Sequence, residues 1–300
     1  MFIVTRLLQN PTVRIQNQIV TKNKLTKILN DGPSNLHFIC DFDMTMSRHW
    51  VRNHETDALE RNASSHGIPG KYSKISPEFK AATKKIYNTY YPIEINRSMT
   101  HEEKVPFMIE WWETAHKLII DQKITKYDIT DMVQEARLEL RPVLKEVLDR
   151  CAASKIPFLV FSAGIGNIIE DVLVHAGLYF KNMHIVSNMM EFNSDVGKGG
   201  GVCVGFREPL IHVFNKSEFQ LETTDYYSQI ENRQNVILVG DSLGDLQMSK
   251  GVRHEMCLNI GFLNHDIEAL EPKYKEMFDI VIVGDANMLP IQSIIESLVE

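Results

Sequence analysis

Cysteine is scarce and scattered. The 300-residue chain has four, Cys40, Cys151, Cys203 and Cys257, with no CxxC pair and no Cys/His ligand spacing, which excludes a disulfide framework and a zinc-finger-like site. They read as buried thiols of a reducing compartment. No apolar run approaches the roughly 18 residues of a membrane span; the longest clean run, Ile156 to Phe161, is strand-sized, so no membrane partner is expected. Internal repeats and low-complexity tracts are also missing, which excludes a solenoid or a linker-rich chain. Positive charge is outnumbered, with 32 Lys and Arg against 39 Asp and Glu for a formal −7. Such a surface repels a polyphosphate backbone and argues against polymeric nucleic acid as a partner, while a locally positive pocket still admits small phosphorylated ligands. Acidic residues are absent from residues 1–30, which hold Arg6, Arg14, Lys22, Lys24 and Lys27. Transit peptides share that bias, but they are serine-rich and this stretch has no serine. A basic N-terminal helix packed on the domain, in a cytoplasmic protein, is the expectation.

The apolar share of 44% and charged share of 24% are those of an ordinary globular protein. The length suits one large α/β domain with an insertion, or two domains. Asn10-Pro11 reads as cap and first-turn proline of a helix ending near Asp31-Gly32-Pro33. Short apolar segments then recur as strands: Leu36 to Cys40, Ile156 to Ser162, Asn235 to Gly240 and Asp279 to Val283. Helical stretches separate them, which predicts a parallel sheet with helices on both faces.

Residues 49–137 hold no convincing strand. Ser76-Pro77 opens one helix, and Thr100 with Glu103 forms a capping box for another running to about Gln122, which Pro106 is expected to kink. This stretch is expected to be an all-helical cap domain over the carboxyl edge of the sheet, with 1–48 and 138–300 forming the core. A helix from Arg141-Pro142, apolar along Val143, Leu144, Val147, Leu148 and Cys151, returns the chain to that core. Residues 187–208 read as a hairpin, and the Gly199-Gly200-Gly201 run as a plain turn within it.

Asp41 and Asp43 stand two residues apart at the end of an apolar strand, where the extended period aims both carboxylates one way. They can share a metal or divide nucleophile and acid roles; as bare turn formers they would mean less. Ser162, Lys216 and the Gly240-Asp241-Ser242-Leu243-Gly244-Asp245 run each fall at or near a carboxyl edge, where open α/β sheets bind ligands.

Through DxDxT, a strand-end serine, a lysine and GDSxxD in that order, the chain resembles the haloacid dehalogenase superfamily of phosphohydrolases. It is similar over nearly its whole length to the cytosolic 5′-nucleotidase III family. The carriers are DFDMTMSR at 41–48, YYPIE at 90–94, EEK and EWW in the cap, FSAGIG at 161–166, HVFNK at 212–216 and GDSLGD at 240–245. The resemblance implies a haloacid-dehalogenase-like core, Mg²⁺, and hydrolysis of nucleoside 5′-monophosphates. Asp41 would be the nucleophile, forming an aspartyl-phosphate. Asp43 would be the general acid and base. Asp41, Asp241 and the Asp43 carbonyl would hold the metal. Lys216 would place positive charge on the transferring oxygens. Ser162 would donate its hydroxyl, with Ala163 and Gly164 opening an anion-binding helix at Ile165 to Ala176. Thr45 and Asp245 would stand behind these groups. Asp245 could orient Lys216 or a ligand water, or simply cap a helix.

Base choice is left to the cap. Glu94 matches the family's base-reading glutamate. Trp111 and Trp112 diverge by about 100° on one helix, so one packs in the core while the other stacks on a base. Trp112 stands where pyrimidine-preferring relatives carry tyrosine, and His66 looks like its partner. A cationic 7-methylguanine gains a cation–π contribution there, which favours 7-methylguanosine monophosphate with cytidine monophosphate beside it. Ala115 replaces the serine that relatives carry one turn later. The alternatives are a pyrimidine 5′-nucleotidase with nucleoside phosphotransferase activity, and a methylated-nucleotide-binding protein without turnover, against which Asp41, Asp43 and Lys216 speak. A monomer is expected.

Overall fold

The computed structural model describes residues 2–53, 55–193, 200–216, 226–250 and 254–299. Strands β1 (Val13–Arg14), β2 (Leu36–Cys40), β5 (Phe158–Ile165), β6 (Met183–Asn188), β9 (Asn235–Gly240), β10 (Met256–Leu263) and β11 (Ile280–Val283) form one sheet in the order β1-β11-β10-β9-β2-β5-β6. All neighbours pair in parallel except β1 with β11. Every residue of β2, β5, β9 and β11 is buried, as expected of parallel strands covered on both faces. From central β2 the chain builds outward through β5 and β6, then crosses to β9 on the other side. That reversal opens a crevice at the carboxyl ends of β2 and β9.

The N-terminal stretch differs from the expected single helix. Helix α1 (Phe2–Leu8) ends before Asn10, whose side chain instead accepts from Thr12 N at 3.0 Å in a turn that leads into β1. Helix α2 (Gln18–Asp31) starts later, capped by Asn17. A turn is equally available to Asn-Pro, and pairing with the edge of β11 selects it. The missing acids also find an explanation. Arg6 pairs with Glu296 at 3.4 Å, Arg14 with Glu271 at 3.7 Å, and Lys24 with Asp279 at 2.7 Å, so the segment's acidic complement lies near the other end of the chain.

Between β2 and β5 the chain is mostly helical: α3 (Ile68–Lys71), α4 (Pro77–Glu94), α5 (His101–Asp121) and α6 (Lys126–Ala136). Ser76 caps α4 through Phe79 N at 3.1 Å, and the Thr100–Glu103 capping box opens α5. Helix α5 continues through Pro106. The region is not all-helical, however: β3 (Trp50–Arg52) and β4 (Leu59–Arg61) form an antiparallel hairpin immediately after the Asp41–Asp43 segment. Helix α7 (Leu144–Ala153) buries Leu144, Val147, Leu148 and Cys151 and starts three residues after Arg141, because Val143 is left-handed at φ 71°.

The excursion after β6 is the hairpin β7 (Met190–Phe192) and β8 (Cys203–Phe206). Gly200 and Gly201 have φ of 73° and 92°, a turn conformation open to glycine; Gly197 and Gly199 lie outside the described residues. The hairpin leans on the helical region, with the Phe206 ring stacked 3.7 Å from His116 and Cys203 N donating to Ile124 O at 2.8 Å. Strands β6 and β10 escape the sequence pattern because polar or small residues, His184, Ser187, Asn259 and Gly261, interrupt their apolar runs. Helices α8 (Gly166–His175), α9 (Tyr227–Ile230), α10 (Ile267–Met277) and α11 (Leu289–Val299), with short 3₁₀ turns at Pro33–Asn35 and Leu243–Ser249, complete the described elements.

Candidate active site

Asp41 stays in the ladder of the sheet, its N–H donating to Val239 O at 2.9 Å. A five-residue π turn, Phe42–Met46, then lifts the chain off β2, with Asp43 extended and Met44 left-handed at φ 63°. Both carboxylates face one cavity of about 760 Å³ at the carboxyl edge. Opposite Asp41, the loop after β9 brings Asp241 and Asp245. One oxygen each of Asp41, Asp241 and Asp245 lie within 4.8 Å of one another.

Lys216 is the buried cation among these acids. Its ammonium donates to Asp41 Oδ1 and, at 2.8 Å, to Asp245 Oδ1. Asn215 shapes the loop that delivers it, accepting from His212 N at 2.7 Å and donating to Leu210 O at 2.8 Å. Asp245 meets Lys216 but is not itself the N-cap expected after Gly244: Ser242 takes that position and Asp245 stands three residues on, at N3. Its other oxygen accepts from Asp241 N at 3.1 Å and from Ser242 N and Oγ at 2.9 Å, a capping box. Thr45 Oγ1 donates to Asp41 Oδ2 at 3.2 Å.

Burial drives the Asp41 carboxyl up to about 7, although Lys216 pulls it down. Burial, Asp245 and Asp41 together push Asp241 well above the usual carboxylate range. Lys216 is raised: burial alone would lower it, but its two carboxylate partners outweigh that cost. The three clustered acids thus have one ammonium, which pairs with Asp41 and Asp245. Among the described residues no hydrogen bond reaches the Asp241 carboxylate, whose backbone carbonyl is held by Tyr274 OH at 2.5 Å. An all-oxygen, acid-rich set with one uncommitted carboxylate fits a hard divalent cation.

The Asp43 carboxylate does not join this cluster. It turns to Ser65, accepting from the amide at 2.7 Å and the hydroxyl at 2.6 Å, and Ile165 N in turn donates to Ser65 Oγ at 3.3 Å. A Cβ on Gly164 would overlap Ser65 Oγ, so only glycine permits this approach. The strand end differs from expectation. Strand β5 runs on through Ile165 and α8 begins at Gly166, so Gly164 N is not a free helix amide but donates to Ser162 Oγ at 3.0 Å. Ser162 and Ala163 still line the cavity.

The outer wall is built by the inserted segment: His66, Glu94, Trp111, Trp112 and Ala115 line the same cavity. Trp112 is the more buried indole, 8% exposed, and its N–H donates to Ala163 O at 2.9 Å, tying α5 to β5. His66 meets it edge-on at 5.6 Å and 76°, so the two rings touch each other instead of flanking a slot. Burial pulls His66 down to about 4, leaving it neutral. Trp111 stacks on Tyr90 at 5.9 Å. Lys104, itself buried, holds the Glu94 backbone carbonyl at 2.8 Å and leaves the Glu94 carboxylate to the cavity.

With this geometry the chain can be compared with known proteins. The family model for pyrimidine 5′-nucleotidase (UMPH-1) matches residues 44–299. The chain belongs to that family. The nucleotidase is 38% identical over 289 residues to a 7-methylguanosine phosphate-specific 5′-nucleotidase of Gallus gallus, covering 96% of each chain. It is 38% identical over 268 residues to the Homo sapiens protein so named, covering 89% of this chain and 86% of that one. The crystal structure of cytosolic 5′-nucleotidase IIIB bound to cytidine superposes with a TM-score of 0.83 at 32% identity, covering 98% of this chain and 95% of that chain. A probable phosphoserine phosphatase from Vibrio cholerae, at 12% identity and a TM-score of 0.51, shares the fold; it covers 89% of this chain and 66% of that one. The nucleotidase is a phosphoric monoester hydrolase. It shares its fold with a HAD-family hydrolase of Salmonella enterica at 14% identity and a TM-score of 0.50, covering 89% of this chain and 72% of that one.

Several of its residues escape sequence reasoning. Ser65 carries no local signal, since a serine in NASSHG looks like any loop residue. Asn188 braces two edges of the site, donating to Ala163 O and Ile211 O, both at 2.8 Å. A polar residue ending an apolar strand is its only mark. Arg61, at the end of the unforeseen hairpin, lines the cavity beside Tyr87 and Tyr91.

Proposed function

We propose that this nucleotidase is a Mg²⁺-dependent, cytoplasmic enzyme that hydrolyses nucleoside 5′-monophosphates, preferring 7-methylguanosine monophosphate and also taking cytidine monophosphate. The observation that carries the reading is the convergence of Asp41, Asp43, Lys216 and Asp241 on the floor of one cavity whose wall holds Glu94 and two indoles. Residues 49–137 act as the cap in this reading. Asp41 attacks phosphorus and forms an aspartyl-phosphate while Asp43 protonates the leaving nucleoside oxygen. Asp43 then takes a proton from the water that releases phosphate. Lys216 fixes the Asp41 carboxylate and offers charge to the phosphoryl oxygens. Asp41, Asp241 and the Asp43 carbonyl would hold Mg²⁺, which as a hard Lewis acid offsets the meeting of two anions. The fixed Ser65 contacts support Asp43's role, since they keep its carboxylate off the acidic cluster.

The test is phosphate release from a panel of nucleoside monophosphates with and without Mg²⁺. Chelation is expected to stop turnover, and Asp241→Ala to raise the Mg²⁺ requirement by about tenfold or more. Full activity in chelator would sink the scheme. A second reading, with cytidine monophosphate as the main substrate and the phosphoryl group passed to a nucleoside hydroxyl, is favoured by the cytidine bound in the 32%-identical structure. The same panel with an added nucleoside acceptor distinguishes it.

Glu94 is the base reader in this account. Its carboxylate accepts from the guanine edge or from the cytosine amine. Burial holds this carboxyl up at about 7 against Arg61, Lys104 and Lys216. Below that pH the free enzyme carries it protonated and loses the charge-assisted acceptor, so KM is expected to rise as pH falls through 7. Glu94→Gln should raise KM by about 10- to 100-fold at pH 8 and flatten that limb. An unchanged KM–pH profile in Glu94→Gln would assign the limb to another group.

A further inference from the structure

Arg141 lies outside the cavity lining, is 1% exposed and has all its guanidinium nitrogens engaged. Its Nε donates to Thr45 O at 2.7 Å, and Nη2 to Met44 O at 2.6 Å, Asn264 Oδ1 at 3.1 Å and Ser47 O at 3.3 Å. Its Nη1 anchors on Asp285 Oδ1 at 3.1 Å and Ala286 O at 2.7 Å, and the guanidinium lies 4.0 Å over the Phe262 ring. Three of the six acceptors are carbonyls of the turn that carries Asp43 or of the residue after it. Asp285, the anchor, also accepts from the amides of His49 and Trp50 at 2.8 and 3.1 Å, just beyond that turn.

The turn needs holding because Met44 is left-handed, at φ 63° and ψ 4°, a conformation costly for a residue with a Cβ. Both its peptide groups are pinned. Met44 N donates to Ser47 Oγ at 2.8 Å, and Met44 O receives Asn264 Nδ2 at 2.9 Å as well as Arg141. Released, Met44 would relax to negative φ, and Asp43, the preceding residue, would swing with it.

The geometry points to Arg141 as a positioning residue for the hydrolysis: clamped on Asp285, it holds the Met44 turn and so keeps Asp43 aimed at the cavity. This rests on the reading of Asp43 as general acid and base. Because Arg141 touches neither base nor phosphate sites, its loss is expected in kcat and not in KM.

The experiment is steady-state kinetics on 7-methylguanosine monophosphate and cytidine monophosphate at saturating Mg²⁺. Arg141→Lys, which retains a charge for Asp285, should lower kcat by about 100-fold, and Asn264→Ala by about 10-fold, with KM within about threefold. Glycine takes positive φ freely, so in a Met44→Gly background the Arg141→Lys loss should shrink to under about tenfold. A loss of equal size in both backgrounds would overturn the proposal, as would a wild-type kcat or a loss confined to KM. Should Arg141→Lys fail to fold, Asn264→Ala, which leaves the Arg141–Asp285 pair in place, carries the same comparison. Asp43→Asn measured alongside reports on the acid–base reading separately: a normal kcat there sinks that reading, whereas a background-independent loss sinks only the role of Arg141.

Discussion

Asp41→Asn is expected to abolish phosphate release, with a loss on the order of 10⁴-fold or more, the scale found when a nucleophile is removed. In the proposed mechanism an amide would be a poor nucleophile and would offer Mg²⁺ no charge. The same variant has a second, independent signature in stability. Burial raises the Asp41 carboxyl to about 7 from 3.8, so between those values the metal-free folded state binds a proton that the unfolded chain has given up. Stability therefore falls as pH rises through that window. In chelator, the unfolding midpoint of the wild type should drop from pH 5 to pH 7.5, and Asp41→Asn should show a shallower drop. More than a tenth of wild-type turnover in Asp41→Asn would reject the covalent route, and an unchanged pH slope would reject the electrostatic account of the cluster.

Lys216→Met carries the other large effect. It removes the ammonium shared by Asp41 and Asp245 and strands three carboxylates within 4.8 Å of one another. Breaking a buried pair this way costs about 3–5 kcal/mol, because the remaining charges stay desolvated. Turnover should fall by about 10²-fold or more, as for loss of one group that stabilises transition-state charge. Denaturant unfolding measures the first and phosphate release the second. The double variant Lys216→Met/Asp245→Asn should regain part of the stability and none of the activity. If Lys216→Met unfolds at the wild-type midpoint, Lys216 is not the charge that balances the cluster.

Much of this site is legible along the chain because its chemistry sits at strand ends. Asp41, Ser162 and Asp241 each follow an apolar run long enough to cross a sheet, and such runs deliver their last residue to one edge whatever the rest of the fold does. Capped helices were equally readable at Ser76 and Thr100, where side chain and amide lie within three residues. Reasoning of this kind failed where the deciding partner was remote. Asn10 could cap a helix or turn a loop, and the edge of β11 chose the turn. Sequence reasoning assigns Trp112 to the base, yet Trp112 is the more buried indole, because its N–H donates to Ala163 O, 51 positions away in the chain.

The strand-end carboxylates, the lysine, the helical character of most of the insertion and the family are all written in residue type, order and local spacing. Packing brings Ser65 to Asp43, Asp245 to Lys216, and Arg141 to a left-handed Met44. Those contacts join residues 22, 29 and 97 positions apart, and nothing local encodes them. The physical reason is that a buried polar group must find its partner wherever packing puts one.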